Sequence, residues 1–382
     1  MSVNLGVRGT RGPGGPVRGS GPDVSQREDL ADFITMITRD ETPFTSDIGK
    51  GSATAIYHEW QTDTLEAPGN SVIAEGSDWV APTASPGNTF SVSGPNRTRL
   101  GNYTQINGKT IAVSGTRRAV DQAGVADEYA YQLKKRGTEL RRDVEFDMIH
   151  GYNVSAAIGA QNGDARSAGG YQSFINSTDT CTYVGEFTQP ATGTGSKPNN
   201  DGTEIPRATI APSSSAAPAR GSLALTDIDS VMQKIYEQGG KATKIMVSPK
   251  IRRDFSDLMV SDTGVVRNID AGGQLRQSVD VYMSDFGEIM VMPNYIMGLS
   301  NVIDNMLGSN HASTKFTSSG RPDMANFSAL IYDPMWFATA YLRPLQEVDV
   351  GQQGDSTKGM MVEECTLEVR NPLGCGAIYG LS

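Results

Sequence analysis

The chain has 382 residues, a formal net charge of −10, 37% hydrophobic and 20% charged residues, and 43 glycines. That length suits two or three domain-sized units, and the composition is that of a loop-rich globular protein. No apolar run approaches the roughly 18 residues of a membrane-spanning helix, and the acidic balance argues against tight nucleic-acid binding as the main task, because phosphate binding draws on a Lys and Arg surplus.

Residues 1–24 are rich in Gly, Pro and Arg. Glycine keeps a three-residue period at Gly6, Gly9, Gly12 and Gly15, but Arg18 breaks it, so a collagen helix is excluded. A mobile basic arm carrying Arg8, Arg11 and Arg18 is expected. It lacks the apolar segment of a secretory signal. Ser25 to Thr38 reads as a short helix, with Ser25 and Glu28 as a capping box and Leu30, Phe33, Ile34 and Ile37 at helical spacing. Pro43 is expected to end that pattern.

Ala53 to Leu65 is dense in β-branched and aromatic residues and predicts a strand. A second strand region covers Arg97 to Ser114, where Ile111 and Val113 alternate. Between them Ala67 to Gly94 is Gly/Pro/Ser-rich and holds Glu75, Trp79 and Phe90. A long projecting hairpin buries its own faces poorly. Tyr57, Trp60, Trp79 and Phe90 are therefore expected to meet another subunit.

The stretch GVADEYAYQLKKRGTELRRDVEFDMIHG, Gly124 to Gly151, predicts one long helix. Val125, Tyr129, Leu133, Leu140, Val144 and Met148 make one apolar stripe. Asp127 and Glu128 favour its N-terminal dipole end and Gly151 its C-cap. Lys135–Glu139 and Arg141–Glu145 are spaced as ion pairs on the wet face.

Gly169 to Ile175 reads as the start of another unit. Residues 185–222 are low-complexity and predict an exposed insertion. A compact α/β block follows. A helix capped by Thr226 places Ile228, Val231, Ile235 and Tyr236 on one face and closes at Gly239-Gly240. Lys244 to Val247 is a strand. Ser248-Pro249 opens a helix facing Ile251, Phe255 and Leu258 inward. Val279 to Met283 and Ile289 to Met292 form a hairpin around Asp285-Phe286-Gly287-Glu288. In the tail, Phe327 to Tyr332, Met335 to Leu342, Met360 to Arg370 and Gly376 to Leu381 read as strands, separated by Asp333-Pro334, Gly351 to Lys358 and Asn371-Pro372.

No chemistry-bearing constellation emerges. Asp262-Thr263-Gly264 matches an aspartic-protease triplet, but a second triplet is needed and absent. His58, His150 and His311 have no ligand spacing among themselves or with Cys181, Cys365 and Cys375. Those three cysteines suit a reducing compartment better than a disulfide framework. Gly108-Lys109-Thr110 resembles the end of a phosphate-binding loop, but Tyr103 stands where its first Gly belongs, and a turn between strands is the expectation. Glu347 and Asp349 lack a third acid, and Glu363 and Glu364 read as a solvated strand edge. No catalytic, cofactor or metal site is expected.

The segment DPMWFATAYLRPLQEVDVGQQGDSTKGMMVEECTLEVRNPLGCGAIYGL, Asp333 to Leu381, resembles the C-terminal signature of a family of tailed-bacteriophage major capsid proteins. Four further motifs fall in the family's order: Thr42-Pro43-Phe44; Glu59-Trp60 followed by Asp63 and Leu65; Ser114-Gly115-Thr116; and Arg141-Arg142-Asp143 with Glu145. The resemblance covers roughly 27–178 and 223–382. It implies an α+β protein with the Hong Kong 97-type capsid fold. In that fold 1–50 is an N-terminal arm, 51–115 an extended-loop hairpin lying across a neighbour, and 116–178 with 327–382 a peripheral domain around a spine helix at 124–150. Residues 179–326 become an axial domain carrying the 185–222 insertion.

The implied function is that of a major capsid protein, not an enzyme. It would assemble as hexamers and pentamers into an icosahedral shell that encloses double-stranded DNA without sequence-specific binding and with no membrane. Implied partners are a separate scaffolding protein, a portal and decoration proteins, with assembly in the bacterial host cytoplasm. The 24 residues before the first helix are too poor in helix formers to serve as a large cleavable scaffold segment. The competing expectation is an extracellular surface-layer or adhesive protein.

Overall fold

Near-continuous apolar strands are stable only when both faces are covered, and Phe327–Tyr332, broken only by Ser328, and Gly376–Tyr379 are strands of this kind. The protein builds two sheets around them. The computed structural model describes residues 39–63, 65, 75, 97–120, 124–151, 166–175, 181–183, 221–262, 280–298, 327–350 and 354–381. The elements in order are α1 (Pro43–Asp47), β1 (Gly49–Ser52), β2 (Tyr57–Thr62), β3 (Thr98–Tyr103), β4 (Gln105–Ser114), α2 (Gly115–Ala119), α3 (Glu128–His150), α4 (Tyr171–Phe174), β5 (Cys181–Tyr183), α5 (Leu225–Glu237), β6 (Lys244–Val247), α6 (Pro249–Asp262), β7 (Val281–Ser284), β8 (Gly287–Pro293), β9 (Phe327–Tyr332), β10 (Phe337–Asp349), β11 (Ser356–Val369) and β12 (Gly376–Tyr379). The arm before residue 25, the Ser25–Thr38 helix, nearly all of the Ala67–Gly94 segment and of the 185–222 insertion, and His311 lie outside the described residues.

One sheet has four strands in the order β1-β10-β11-β4, and the other six in the order β5-β12-β9-β6-β8-β7. The six-stranded sheet separates two cores with the strand period of two. Ile245, Val247, Ala329, Ile331 and Ile378 face α5 and α6 and pack with Ile228, Val231, Ile235, Ile251 and Phe255. Met246, Leu330, Tyr332, Ala377 and Tyr379 face the other way, toward Phe337, Leu367 and Val369 of the four-stranded sheet and Val144, Met148 and Ile149 of α3. Between the sheets lies an aromatic cluster: Tyr171 stacks on Phe337 at 5.4 Å, and Phe44 meets Tyr332 at 5.5 Å and Phe337 at 5.9 Å.

The long helix forms as its stripe predicts. Asp127 takes the cap position and accepts from the Tyr129 N–H at 2.9 Å, so regular helix begins at Glu128 and Val125 precedes it. Leu140 at its middle packs on Ile111 and Val113 of β4 and on Met361, with Tyr129 and Leu133 of its first half alongside.

Several local expectations change under tertiary contact. Pro43 opens the short helix α1 as its first residue. Gln105–Ser114 leaves the hairpin and pairs with β11, because its alternating Ile111 and Val113 have a helix to bury against. The C-terminal strands divide: β9 and β12 complete the six-stranded sheet, and β10 and β11 the other. β10 continues to Asp349 through Pro344, since register shifts between Tyr341 and Gln346 release the ladder bond that proline lacks. Gly169–Ile175 begins no new unit; α4 packs against the end of α3, where the Gly170 N–H donates to the Gly151 carbonyl at 2.6 Å. The α5 cap is Ala224, whose N–H donates to Asp227 at 3.0 Å. Met232 takes the buried place expected of Tyr236, which is 63% exposed.

Phe44 has no exposed surface and touches both sheets through its aromatic neighbours. Phe44→Ala should therefore lower the unfolding free energy of the isolated subunit by about 3–5 kcal/mol, read as a shift in the urea midpoint at unchanged slope.

Candidate functional site

A two-stranded ribbon has two faces. Here the strand alternation assigns one to the protein's own body and leaves the other outward. β2 and β3 pair antiparallel from Tyr57 opposite Tyr103 to Thr62 opposite Thr98. His58, Trp60, Leu100 and Asn102 share the inner face. The Trp60 indole N–H donates to the Val369 carbonyl at 2.8 Å, and its ring lies 6.0 Å from Phe174. The His58 Nε2 is 3.4 Å from Glu368, which also accepts from the Arg370 Nε at 2.9 Å. Asn102 is fully buried; its amide donates to the carbonyls of Gly169 and Leu367 at 2.8 and 2.9 Å and accepts from the Gly169 N–H at 2.9 Å. The outer face carries Tyr57 and Tyr103, 4.7 Å apart. Tyr57 also covers Gly101, where an added Cβ would lie 2.5 Å from the ring.

The four residues expected to meet a neighbour thus divide. Trp60 is half-buried on its own chain, against the expectation that little chain lies near it: the β2 pleat turns it toward Phe174 and Val369. Tyr57, on the opposite face, is half-buried: its ring lies over Gly101 and its hydroxyl has no exposed surface. Trp79 and Phe90 lie outside the described residues.

Behind the ribbon, three carboxylates replace expected surface charges. Glu145 forms no pair with Arg141. It is fully buried and accepts from the N–H groups of Phe44 and Thr45 at 2.8 and 2.7 Å and from Asn294 at 2.9 Å. Burial raises its pKa, against the lowering pull of those hydrogen bonds. Glu363 and Glu364 are no solvated edge, because β11 runs between β10 and β4. Glu364 accepts from the Thr104 hydroxyl, Arg166 and Arg343 at 2.8, 2.7 and 2.8 Å. Burial raises the pKa of Glu363, with Arg141 and Lys50 opposing it. On the helix, Glu139 pairs with Arg136 at 2.6 Å in place of Lys135.

The remaining motifs are structural. Gly108-Lys109-Thr110 lies in mid-strand, opposite Val362, Met361 and Met360. Asp262 closes α6. Cys181, Cys365 and Cys375 are buried thiols. Among the described residues, no three His, Cys, Asp or Glu side chains converge as a metal site would need. A groove of about 430 Å³ between β4 and α3 is lined by Thr110, Ser114, Arg117, Glu128, Gln132 and Arg136, without a nucleophile–base pair.

Neither Asn102 nor the buried state of Glu145 and Glu364 is visible in sequence. Each is a polar residue whose partners lie dozens to hundreds of positions away.

A sequence model of the SU10 major capsid protein family matches residues 16–382. The major capsid protein of Escherichia phage Phieco32 is 27% identical over 257 residues, which cover 63% of this chain and 68% of that protein. Among solved structures, one from Mycobacterium phage Bobi has a TM-score of 0.52 at 11% identity, covering 93% of this chain and 95% of that one. The capsid structure of Cyanophage P-SCSP1u has 0.51 at 11%, covering 95% of each. One from Gordonia phage Cozz has 0.51 at 13%, covering 96% and 97%. At these identities the structural likeness speaks for the fold.

Two outcomes follow from this geometry. Trp60→Ala should destabilise the isolated subunit by about 2 kcal/mol, the sum of lost apolar burial and one hydrogen bond, measured by denaturant unfolding before any assembly. The second concerns acid. Burial lowers the pKa of His150 from 6.5 to about 4, so between those values the unfolded chain binds the extra proton. Stability present above about pH 6.5 should fall as pH drops toward 4, by roughly 3 kcal/mol from this group. Glu145, with its raised pKa, works in the opposite sense, losing stability as pH rises above 4.5. His150→Gln should flatten the acid loss, seen by comparing urea midpoints at pH 7 and pH 5.

Proposed function

The chain belongs to the SU10 major capsid protein family, and from that premise we propose how its parts serve a shell. It is a structural protein with the Hong Kong 97-type fold, the major capsid protein of a tailed bacteriophage, and its place is the virion shell. The observation that carries this is the family match, which spans residues 16–382. Copies associate as hexamers and pentamers that close into an icosahedral shell around double-stranded DNA, a heterologous contact repeated until symmetry closes it.

In this reading α3 is the spine helix, and with the four-stranded sheet it forms the peripheral domain. The six-stranded sheet with α5 and α6 is the axial domain, and residues before 50 form an arm. Supporting the axial role, the outer face of the β7–β8 hairpin exposes Val281, Met283 and Met290, an apolar surface suited to contact with copies of itself. The β2–β3 ribbon is the root of the extended loop. Tyr57 on its outer face, with Trp79 and Phe90 farther along, docks on a neighbouring subunit, and Trp60 anchors the root. A separate scaffolding protein, a portal and decoration proteins complete the particle, which assembles in the bacterial host cytoplasm.

Negative-stain electron microscopy of the purified protein, expressed alone and with a candidate scaffolding protein, tests the proposal. Closed shells are expected with the scaffold, and monodisperse monomers under both conditions would overturn it. Tyr57→Ala and Trp79→Ala should keep the circular dichroism of the parent subunit yet lower shell yield or shell melting temperature. Shells of parental stability from both variants would place the contact on other residues.

A further inference from the structure

The helix α3 segregates its charges. Its carboxylates are taken up by the protein itself: Glu128 by Arg117 and Gln132, Glu139 by Arg136, Asp143 by Lys109, Glu145 by α1 and Asn294, and Asp147 by Gln105. Among the described residues Lys134, Lys135, Arg141 and Arg142 have no such hydrogen-bonded partner. They are spaced three, four or seven residues from one another or from Tyr131 and Thr138, which places all six on one face. Lys134 and Arg141 are exposed, and Lys135 and Arg142 half-exposed. Arg142 lies 6.0 Å from the Tyr295 ring, and Arg141 acts electrostatically on buried Glu363 and on Tyr341.

We infer that this face of α3 is a contact for the phosphate backbone of duplex nucleic acid, weak singly and repeated at every copy. Four cations within about two turns form a locally basic face on a chain of net charge −10. The face presents lysine, arginine, a hydroxyl and a tyrosine, and no Leu, Ile, Val or Met. A protein partner's contact is built around apolar anchors in a desolvated centre; this face has none, whereas phosphate recognition needs only cations and hydrogen-bond donors. Such binding carries no sequence preference. The inference rests on the shell reading only in that a shell brings duplex DNA within reach; the charge segregation itself belongs to the single subunit.

The test measures retention of a random-sequence duplex DNA fragment by the full-length protein across a salt series starting near roughly 50 mM, where phosphate contacts are strong. The parent is compared with Lys134→Gln/Lys135→Gln/Arg142→Gln. Arg141 is kept because Glu363 leans on it, and circular dichroism checks the fold. The parent should bind with an affinity falling as a power of salt, and the variant should lose about one unit of that slope per cation removed. A second variant, with Arg8, Arg11 and Arg18 changed to Gln, should retain the helix's share of the slope. An unchanged slope in the helix variant, complete loss in the arm variant, or no DNA retention by the parent at low salt would overturn the inference. So would a helix variant that binds DNA as the parent does but no longer co-assembles with an acidic scaffolding protein. Electron microscopy of the same samples separates the two proposals: DNA binding without shells would count against the shell reading alone.

Discussion

A carboxylate sealed away from water has to find donors, and Glu145 finds them on two segments remote from its own helix. The N-terminal N–H groups of α1 and the Asn294 amide converge on it, filling the acceptor sites of both its oxygens and using the first-turn N–H groups that a helix start leaves unbonded. The consequence is positional. α1 sits where Phe44 enters the aromatic cluster between the sheets. Lys244 and Tyr332 of the six-stranded sheet both bind Asp47 at the other end of α1. One short helix thereby ties the spine helix, the six-stranded sheet and the aromatic core together. Losing a partner in such a network leaves a buried polar group unsatisfied, which costs more than the bond itself contributes.

The same logic governs the ribbon. Two strands alone are marginal, yet β2 and β3 leave the body at a defined place because their inner face is built into it. Asn102 makes three bonds to two backbone segments, and Trp60 makes a fourth while covering Phe174. The pleat gives one face to the body and leaves Tyr57 and Tyr103 together on the other. That division follows from the two-residue period of the pleat and from nothing more specialised.

The spine helix shows how one element serves two environments. Leu140, Val144 and Met148 bury against β4, β11 and the inter-sheet core. Glu145, Asp143 and Asp147 are held by donors on neighbouring elements and Glu139 by Arg136 of the helix itself, while Lys134 and Arg141 stay exposed. An overall acidic protein can in this way carry a locally basic face, since net charge describes the sum and not its distribution.

What the sequence determined by itself was whatever depends on local spacing. The stripe of α3, the β6 strand, the Ser248-Pro249 start of α6, the β7–β8 hairpin and the strand Phe327–Tyr332 were all legible, because a 3.6- or two-residue period and a cap are properties of neighbours in the chain. Five ordered motifs identified the capsid family, although each one by itself is weak. What only the tertiary structure decided was the meaning of polar residues and the partners of strands. Glu145, Glu363 and Glu364 read as surface charge, since a helix or strand cannot show which distant donors will cover it. Gln105–Ser114 read as half of a hairpin, since pairing with β11 joins residues some 250 positions apart. Trp60 read as an exposed aromatic, since the carbonyl that holds it belongs to Val369. Hydrogen-bond partners and strand order are fixed by burial of the whole chain at once, so they have no local signature to read.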